Sequence, residues 1–197
     1  MFVEDTLKSI YEITLKRIDG QETSLSDYKG NTLLIVNGAS KCGYTPQYAD
    51  LQKLHTTYKD RGLKILLFPC NDFLNQEEGA EKEIENFCQT RFKVEFDLFE
   101  KVKILGSSPH PLYQYLQDFN QPAISPGGIK SFLFRGFKKL AYFMMGKQPK
   151  TPGGVQWNFH KYLIGPDGEL KAHFLSEMEP FDPALIARIE EQLSKNS

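Results

Sequence analysis

The side chains with the most reactive chemistry in this sequence are three cysteines, Cys42, Cys70 and Cys88. Cys42 follows an apolar run at 32–37 and precedes Thr45-Pro46, a pair typical of a helix start. Unpaired N–H groups and partial positive charge at a helix start favour a thiolate over a thiol. A thiolate there would attack the O–O bond of a peroxide. The position also fits a buried structural cysteine, as many free cysteines are, so both interpretations stay open at this point.

The elements that must position Cys42 follow from the spacing of apolar residues. Residues 32–37 and 63–69 are short runs of β-forming apolar residues, typical of strands buried on both faces. The helix predicted between them carries four large residues at helical spacing, namely Tyr48, Leu51, Leu54 and Tyr58. A strand, a helix and a second strand in this order predict a parallel pair of strands.

Turn and capping signals predict the other elements. The first 30 residues predict a β-hairpin with its turn at Asp19-Gly20. The remaining predicted elements are a helix over 80–91, a hairpin at 160–175 and a C-terminal helix capped by Asp182. This order predicts the α/β class and a thioredoxin-like fold, with a central mixed sheet flanked by helices, in a single domain over 1–197.

The composition excludes several classes of protein. The chain has 197 residues, of which 40% are apolar and 25% charged, and its formal net charge is −1, unlike a general nucleic-acid binder. It lacks an apolar run of about 18 residues, the length of a membrane span. The N-terminal residues lack the basic and apolar pattern of a secretory signal, so a cytoplasmic location is expected. Its histidines and cysteines show no zinc spacing, so neither a metal nor a cofactor is predicted.

Three short motifs carry a family resemblance. Residues 39–48 read ASKCGYTPQY, residues 68–77 read FPCNDFLNQE, and residues 157–164 read WNFHKYLI. Together they resemble the three signatures of the glutathione peroxidase family, in the right order. The resemblance runs from about Tyr11 to Leu193 and is specific because three separate motifs match.

The resemblance implies a four-residue site of Cys42, Gln76, Trp157 and Asn158. Cys42 would be the peroxidatic thiol, and the other three would donate hydrogen bonds. Such donors suit the reaction, because the leaving oxygen becomes an alkoxide or hydroxide, and the indole of Trp157 can only donate. Taken alone, Trp157 also fits a core aromatic residue and Gln76 an exposed loop residue.

Peroxide attack would leave Cys42 as a sulfenic acid, which a second thiol must resolve. The resemblance to cysteine-type, thioredoxin-using members implies that Cys88 is this resolving residue. A disulfide needs Cα atoms within about 7 Å, so the helix that carries Cys88 is predicted to be mobile. Cys88 also fits a buried cysteine on an apolar face, in which case glutathione would be the reductant. Cys70 is predicted to be structural and is a weaker alternative resolver.

Three residues depart from the family pattern. Asp72 would raise the pKa of the Cys42 thiol if its carboxylate pointed inward. Leu74 stands where the family usually has glycine, so the loop that delivers Gln76 is expected to differ. Gly38 replaces a usual valine, a small change in packing.

The segment 121–156 is the largest departure. Between 124 and 156 it has six basic and no acidic residues, and its spacing predicts a basic amphipathic helix. One predicted face comprises Leu133, Phe137, Leu140, Ala141 and Met144, and the other Arg135, Lys138, Lys139 and Tyr142. One hypothesis is peripheral binding to an anionic membrane through 124–150. The alternative is that the apolar face packs on its own domain or on a partner subunit.

The resemblance favours a thiol peroxidase that reduces hydrogen peroxide and organic or lipid hydroperoxides with thioredoxin or glutathione. A peroxide sensor or redox relay would use the same residues. A binding module on this fold predicts an unreactive Cys42. A dithiol oxidoreductase is disfavoured because Thr45, and not a cysteine, lies three residues after Cys42.

Overall fold

The computed structural model describes residues 9–119, 121–146, 148–149, 151 and 153–196, and their side chains except those of 128–135 and 196. Its main sheet has five strands in the order β5-β4-β3-β6-β7. The strands are β3 (Thr32–Gly38), β4 (Leu63–Pro69), β5 (Asp97–Leu98), β6 (Lys161–Ile164) and β7 (Leu170–Phe174). The first three run parallel, whereas β6 and β7 are antiparallel to their neighbours, so the predicted mixed sheet is confirmed.

Strand β3 lies at the centre of the sheet, and all seven of its residues are buried. Helices flank the sheet, and their bounds are α1 (Gln47–Tyr58), α2 (Glu81–Phe92), α3 (Pro111–Gln117), α4 (Gly128–Met145) and α5 (Pro183–Leu193). The apolar face predicted for α1 is buried, and the Asp182 carboxylate caps α5 by accepting from the Ala184 N–H at 2.9 Å. Both predictions are confirmed.

The N-terminal hairpin forms a separate two-stranded sheet of β1 (Thr14–Lys16) and β2 (Glu22–Ser24). Its turn contains Gly20 with φ of 88°, as the Asp19-Gly20 signal predicts. The preceding residues Ile10–Glu12 form a 3-10 helix. The short elements α3 and β5 are absent from the sequence prediction.

Helix α4 forms inside the predicted basic segment, but it turns an unexpected side inward. Lys138 is buried, and its ammonium lies 3.8 Å from the Glu177 carboxylate. Of the predicted apolar face, Ala141 is buried, whereas Leu140 and Met144 are exposed. The expectation that this face packs on its own domain is therefore wrong for Leu140 and Met144, whereas Phe137 packs against Trp157. The side chains of Leu133 and Arg135 lie outside the described residues.

Among the described helices, none is long and apolar enough to cross a membrane.

Candidate active site

Cys42 lies in a turn between β3 and α1, at the end of the central strand. The Thr45 hydroxyl accepts the Cys42 N–H at 3.0 Å and donates to the Ala39 carbonyl at 2.8 Å. Thr45 therefore closes the Cys42 turn and does not cap α1, which begins at Gln47 and not at the predicted Pro46. The N–H groups that reach the sulfur come from this turn and not from the first turn of α1.

The Cys42 thiol is 7% exposed and faces hydrogen-bond donors. The Tyr44 N–H lies 3.5 Å from Sγ. Burial raises the pKa of the thiol, while hydrogen bonds from the Tyr44 amide, the Trp157 indole and the Gly43 amide lower it. Burial is the larger effect, so the pKa is above its ordinary value. The donors are in place for a thiolate, and no carboxylate contributes to the shift.

Trp157 is both a core aromatic residue and a donor to Cys42. Its ring is buried, with the Phe73 and Phe137 rings each 5.4 Å from it between centroids. The same residue hydrogen-bonds the Cys42 sulfur. The packing fixes the direction of the indole N–H, so the two interpretations drawn from the sequence hold together.

A chain of three side-chain amides orients Gln76. The Asn37 Nδ2 donates to the Trp157 carbonyl and to the Asn158 Oδ1, each at 3.2 Å. The Asn158 Nδ2 then donates to the Gln76 Oε1 at 3.1 Å. Because its oxygen is occupied in this way, Gln76 presents its Nε2 donor to the cavity that holds Cys42. Asn158 thus acts through Gln76.

Asn37 itself is positioned by the sheet. It lies near the end of β3, where its N–H donates to the His160 carbonyl at 3.4 Å and its carbonyl accepts the Phe159 N–H at 2.6 Å. Sequence reasoning missed Asn37. The available signal is a buried polar residue in an otherwise apolar strand.

The loop that carries Gln76 is fastened to the Cys42 turn. The Lys41 N–H donates to the Gln76 carbonyl at 3.0 Å, and the Ser40 hydroxyl donates to the Glu77 carboxylate at 3.0 Å. An exposed ion pair of 2.8 Å joins Lys41 to Glu78. Burial raises the pKa of Glu77, and the hydrogen bonds from Ser40 oppose that shift. These contacts bring two of the predicted motifs together.

The residues that depart from the family pattern have specific partners. Asp72 accepts the Ile104 and Leu105 N–H groups at 2.6 and 2.8 Å, so its carboxylate is held away from Cys42. Burial raises the pKa of Cys70, and the charge of the Asp72 carboxylate adds to that shift. The Cβ of a larger residue at Gly38 would lie 2.5 Å from the Tyr48 hydroxyl, so glycine makes room for that side chain.

Leu74 adopts the left-handed backbone conformation that glycine favours. Its φ is 54°, and that of Asn75 is 53°. This conformation costs a residue with a side chain about 1 kcal/mol. The Leu74 N–H donates to the Met145 Sδ at 3.3 Å, which ties the loop to α4. The loop therefore keeps the glycine-like conformation without glycine.

Cys88 is fully buried on α2 and is not among the side chains that line the Cys42 cavity. Burial and the nearby Glu77 carboxylate raise its pKa to about 12, against a hydrogen bond with Tyr48. Cys70 is also fully buried, and all three cysteines are free thiols.

A cavity of about 320 Å³ opens at the sulfur of Cys42. Its lining residues are Cys42, Gly43, Tyr44, Gln76, Phe137 and Trp157. Phe137 comes from α4, so this helix covers one side of the site. Sequence reasoning missed this role, and no local motif marks it.

A larger cavity of about 660 Å³ adjoins the first and shares Gly43 and Tyr44 with it. Four of its lining side chains are carboxylates, those of Asp50, Glu177, Glu179 and Asp182. Two of these carboxylates are paired with lysines, Glu177 with Lys138 and Asp50 with Lys53.

Residues 10–117 match the family model described as glutathione peroxidase. The Escherichia coli protein named thioredoxin/glutathione peroxidase BtuE is 41% identical over 187 residues, which cover 95% of this chain and 98% of that protein. The Synechocystis protein named hydroperoxy fatty acid reductase gpx1 is 40% identical over 188 residues, covering 94% of this chain and 96% of that protein.

Solved structures show the same fold. The crystal structure of T. cruzi GPX1 is 30% identical, with a TM-score of 0.63 over 95% of this chain and 97% of that one. A thioredoxin family protein from Chlorobium tepidum, 13% identical, has a TM-score of 0.56 over 92% of each chain. The predicted thioredoxin-like fold is confirmed.

Proposed function

The chain belongs to the glutathione peroxidase family and is a peroxidase, and from this premise we propose that Cys42 is the thiol that reduces the hydroperoxide. The observation that carries the proposal is the cavity at Cys42, where the sulfur, the Trp157 indole and the Gln76 amide meet. Hydrogen peroxide and organic or lipid hydroperoxides are the proposed substrates.

The first step oxidises the sulfur. The Cys42 thiolate attacks one peroxide oxygen, the O–O bond breaks, and the sulfur becomes a sulfenic acid. The second oxygen leaves as alkoxide or hydroxide and takes up a proton to become an alcohol or water. Trp157 and Gln76 donate hydrogen bonds where this negative charge develops, which lowers the barrier. Asn158 is the positioning residue that orients Gln76.

The second step is proposed to use Cys88. Its thiolate attacks the sulfenic sulfur, the S–O bond breaks, and a Cys42–Cys88 disulfide forms while the leaving hydroxide takes up a proton to become water. A thioredoxin-type dithiol then reduces this disulfide by exchange, so the reductant is a co-substrate and no bound cofactor is required. Because Cys88 is buried in α2, this helix must open before the sulfurs can meet. The Escherichia coli relative, named thioredoxin/glutathione peroxidase, is consistent with a thioredoxin and equally with glutathione.

Glutathione is the alternative reductant. It would reduce the Cys42 sulfenic acid directly, and Cys88 would then take no part in the cycle.

The test is peroxide consumption with thioredoxin, thioredoxin reductase and NADPH, with glutathione as the parallel reductant. Cys42→Ser is expected to be inactive with both reductants, and Cys88→Ser to lose activity with thioredoxin alone. Cys70→Ser is the matched control, since Cys70 is also a buried thiol, and it is expected to keep both activities.

Turnover with glutathione alone would make Cys88 structural. If neither reductant supports turnover while Cys42 still becomes a sulfenic acid, the sensor or relay interpretation replaces the peroxidase.

A further inference from the structure

Helix α4 is held against the site by its inner side chains. Ala141 and Lys138 are buried, and the Tyr142 hydroxyl donates to the Gln156 carbonyl. The Met145 sulfur accepts the Leu74 N–H at 3.3 Å. These contacts fix which side of α4 faces outward.

The outward side is apolar. Leu140 is 58% exposed, Phe143 85% and Met144 60%, and Phe137 at the cavity is 44% exposed. In the described part of the chain, six large apolar residues are exposed, and these four are among them. We call these four residues the outer face of α4. A cluster of exposed apolar residues marks an interaction surface.

The charge around the outer face indicates its partner. The segment 124–156 has six of the 24 basic residues and none of the 25 acidic ones, whereas the rest of the chain has 18 basic and 25 acidic residues. Of these six, Lys139 is exposed on α4, whereas Lys138 is buried and paired with Glu177. A symmetric dimer through this face would bring two positive surfaces together, which costs free energy. An anionic bilayer complements both the charge and the apolar residues.

We propose that the outer face of α4 docks on the surface of an anionic lipid bilayer. The helix lies in the interface, with Phe143, Leu140 and Met144 among the acyl chains and Lys139 at the headgroups. Phe137 lies on this face and also lines the Cys42 cavity, so docking places the mouth of the cavity at the lipid. A hydroperoxide on an acyl chain then reaches Cys42 from the membrane. This delivery rests on the proposed peroxidase activity, whereas the docking does not.

The test is flotation of the full chain with phosphatidylcholine vesicles, with or without phosphatidylglycerol, at low and high salt. Binding is expected to the anionic vesicles and to weaken as salt increases. Phe143→Ser and Lys139→Glu are each expected to weaken it about tenfold. The matched controls are Phe181→Ser, at an exposed phenylalanine elsewhere, and Lys82→Glu on α2, and both are expected to bind like the wild type.

Turnover of hydrogen peroxide separates the two proposals, because a small peroxide needs no membrane. Phe143→Ser and Lys139→Glu are expected to keep that turnover, which also shows that they fold. The docking proposal is wrong if the wild type does not float with anionic vesicles, or if both α4 variants bind like the controls. A dimer that Phe143→Ser dissociates, without vesicle binding, would assign the face to a second copy.

Discussion

The turn at Cys42 and the helix at Cys88 place two buried thiols in contrasting surroundings. Burial raises the pKa of both. Cys42 also receives hydrogen bonds from two backbone amides and an indole and opens into a cavity, whereas Cys88 lies near the Glu77 carboxylate inside α2. The burial of a cysteine therefore says little about its reactivity. The donors around the sulfur and the space in front of it distinguish the two.

Removing the Trp157 indole donor is expected to lower the reactivity of Cys42 the most, which would reduce its difference from Cys88. Trp157→Phe keeps an aromatic ring between Phe73 and Phe137 but loses the N–H at Cys42. The rate constant for oxidation of Cys42 by hydroperoxide should fall about 100-fold, as for loss of one donor at a developing charge. Rapid-mixing kinetics of a single turnover measures it. An unchanged rate constant would leave Trp157 as a core residue only.

Breaking the amide chain is expected to have an intermediate effect. Asn37→Ala leaves Asn158 free to turn its amide, so Gln76 loses its fixed orientation. The rate constant with hydroperoxide should fall about tenfold, in line with a lost hydrogen bond to a charged group. Alkylation of Cys42 by iodoacetamide should be unchanged, because that reaction releases no oxygen anion.

Asn31→Ala is the matched control for Asn37→Ala, since Asn31 donates to the Tyr28 carbonyl, just before β3. Equal losses with hydroperoxide and iodoacetamide in Asn37→Ala would show general disruption of the site and contradict the positioning role.

The smallest expected effect is on the pH dependence of the free energy of unfolding. This dependence tests whether burial raises the pKa of Cys88. Burial in the folded protein raises the pKa of Cys88 to about 12, so the folded protein holds the thiol proton of Cys88 more tightly than the unfolded chain does. The resulting stability is complete below the unfolded pKa of about 8.5 and is lost as pH rises toward the folded pKa. The free energy of unfolding should therefore fall by about 1 kcal/mol between pH 8.5 and 9.5 from this group.

Denaturant unfolding of the wild type and Cys88→Ala across that range measures the difference. The variant should show the shallower dependence on pH. Equal slopes would mean that Cys88 ionises in the folded protein as easily as in the unfolded chain.

The sequence predicts the strands and helices around Cys42 because their apolar periodicity is strong. Strands β3 and β4, helix α1 and both hairpins follow from it. The helix α3 was missed because it has only seven residues. The predicted start of α1 at Pro46 is wrong because the Thr45 side chain hydrogen-bonds the Cys42 turn and does not cap the helix.

The candidate site is predicted as a list of residues but not as a geometry. The motifs indicate Cys42, Gln76, Trp157 and Asn158, and the structure places them in contact either directly or through one another. The direction of Asp72 depends on N–H groups more than 30 residues away, at Ile104 and Leu105. The position of Phe137 depends likewise on how α4 is seated, partly by an ion pair to Glu177. Such distant partners leave no local pattern in the sequence.

The orientation of the Gln76 amide depends, through Asn37 and Asn158, on the register between β3 and β6. Asn37 reaches Asn158 because β3 pairs with β6 so that Val36 lies opposite Lys161. A slip of one residue would turn the side chain of residue 37 to the other face of the sheet, and the orientation of Gln76 would no longer be fixed. The sheet thus specifies which end of a distant amide meets the substrate.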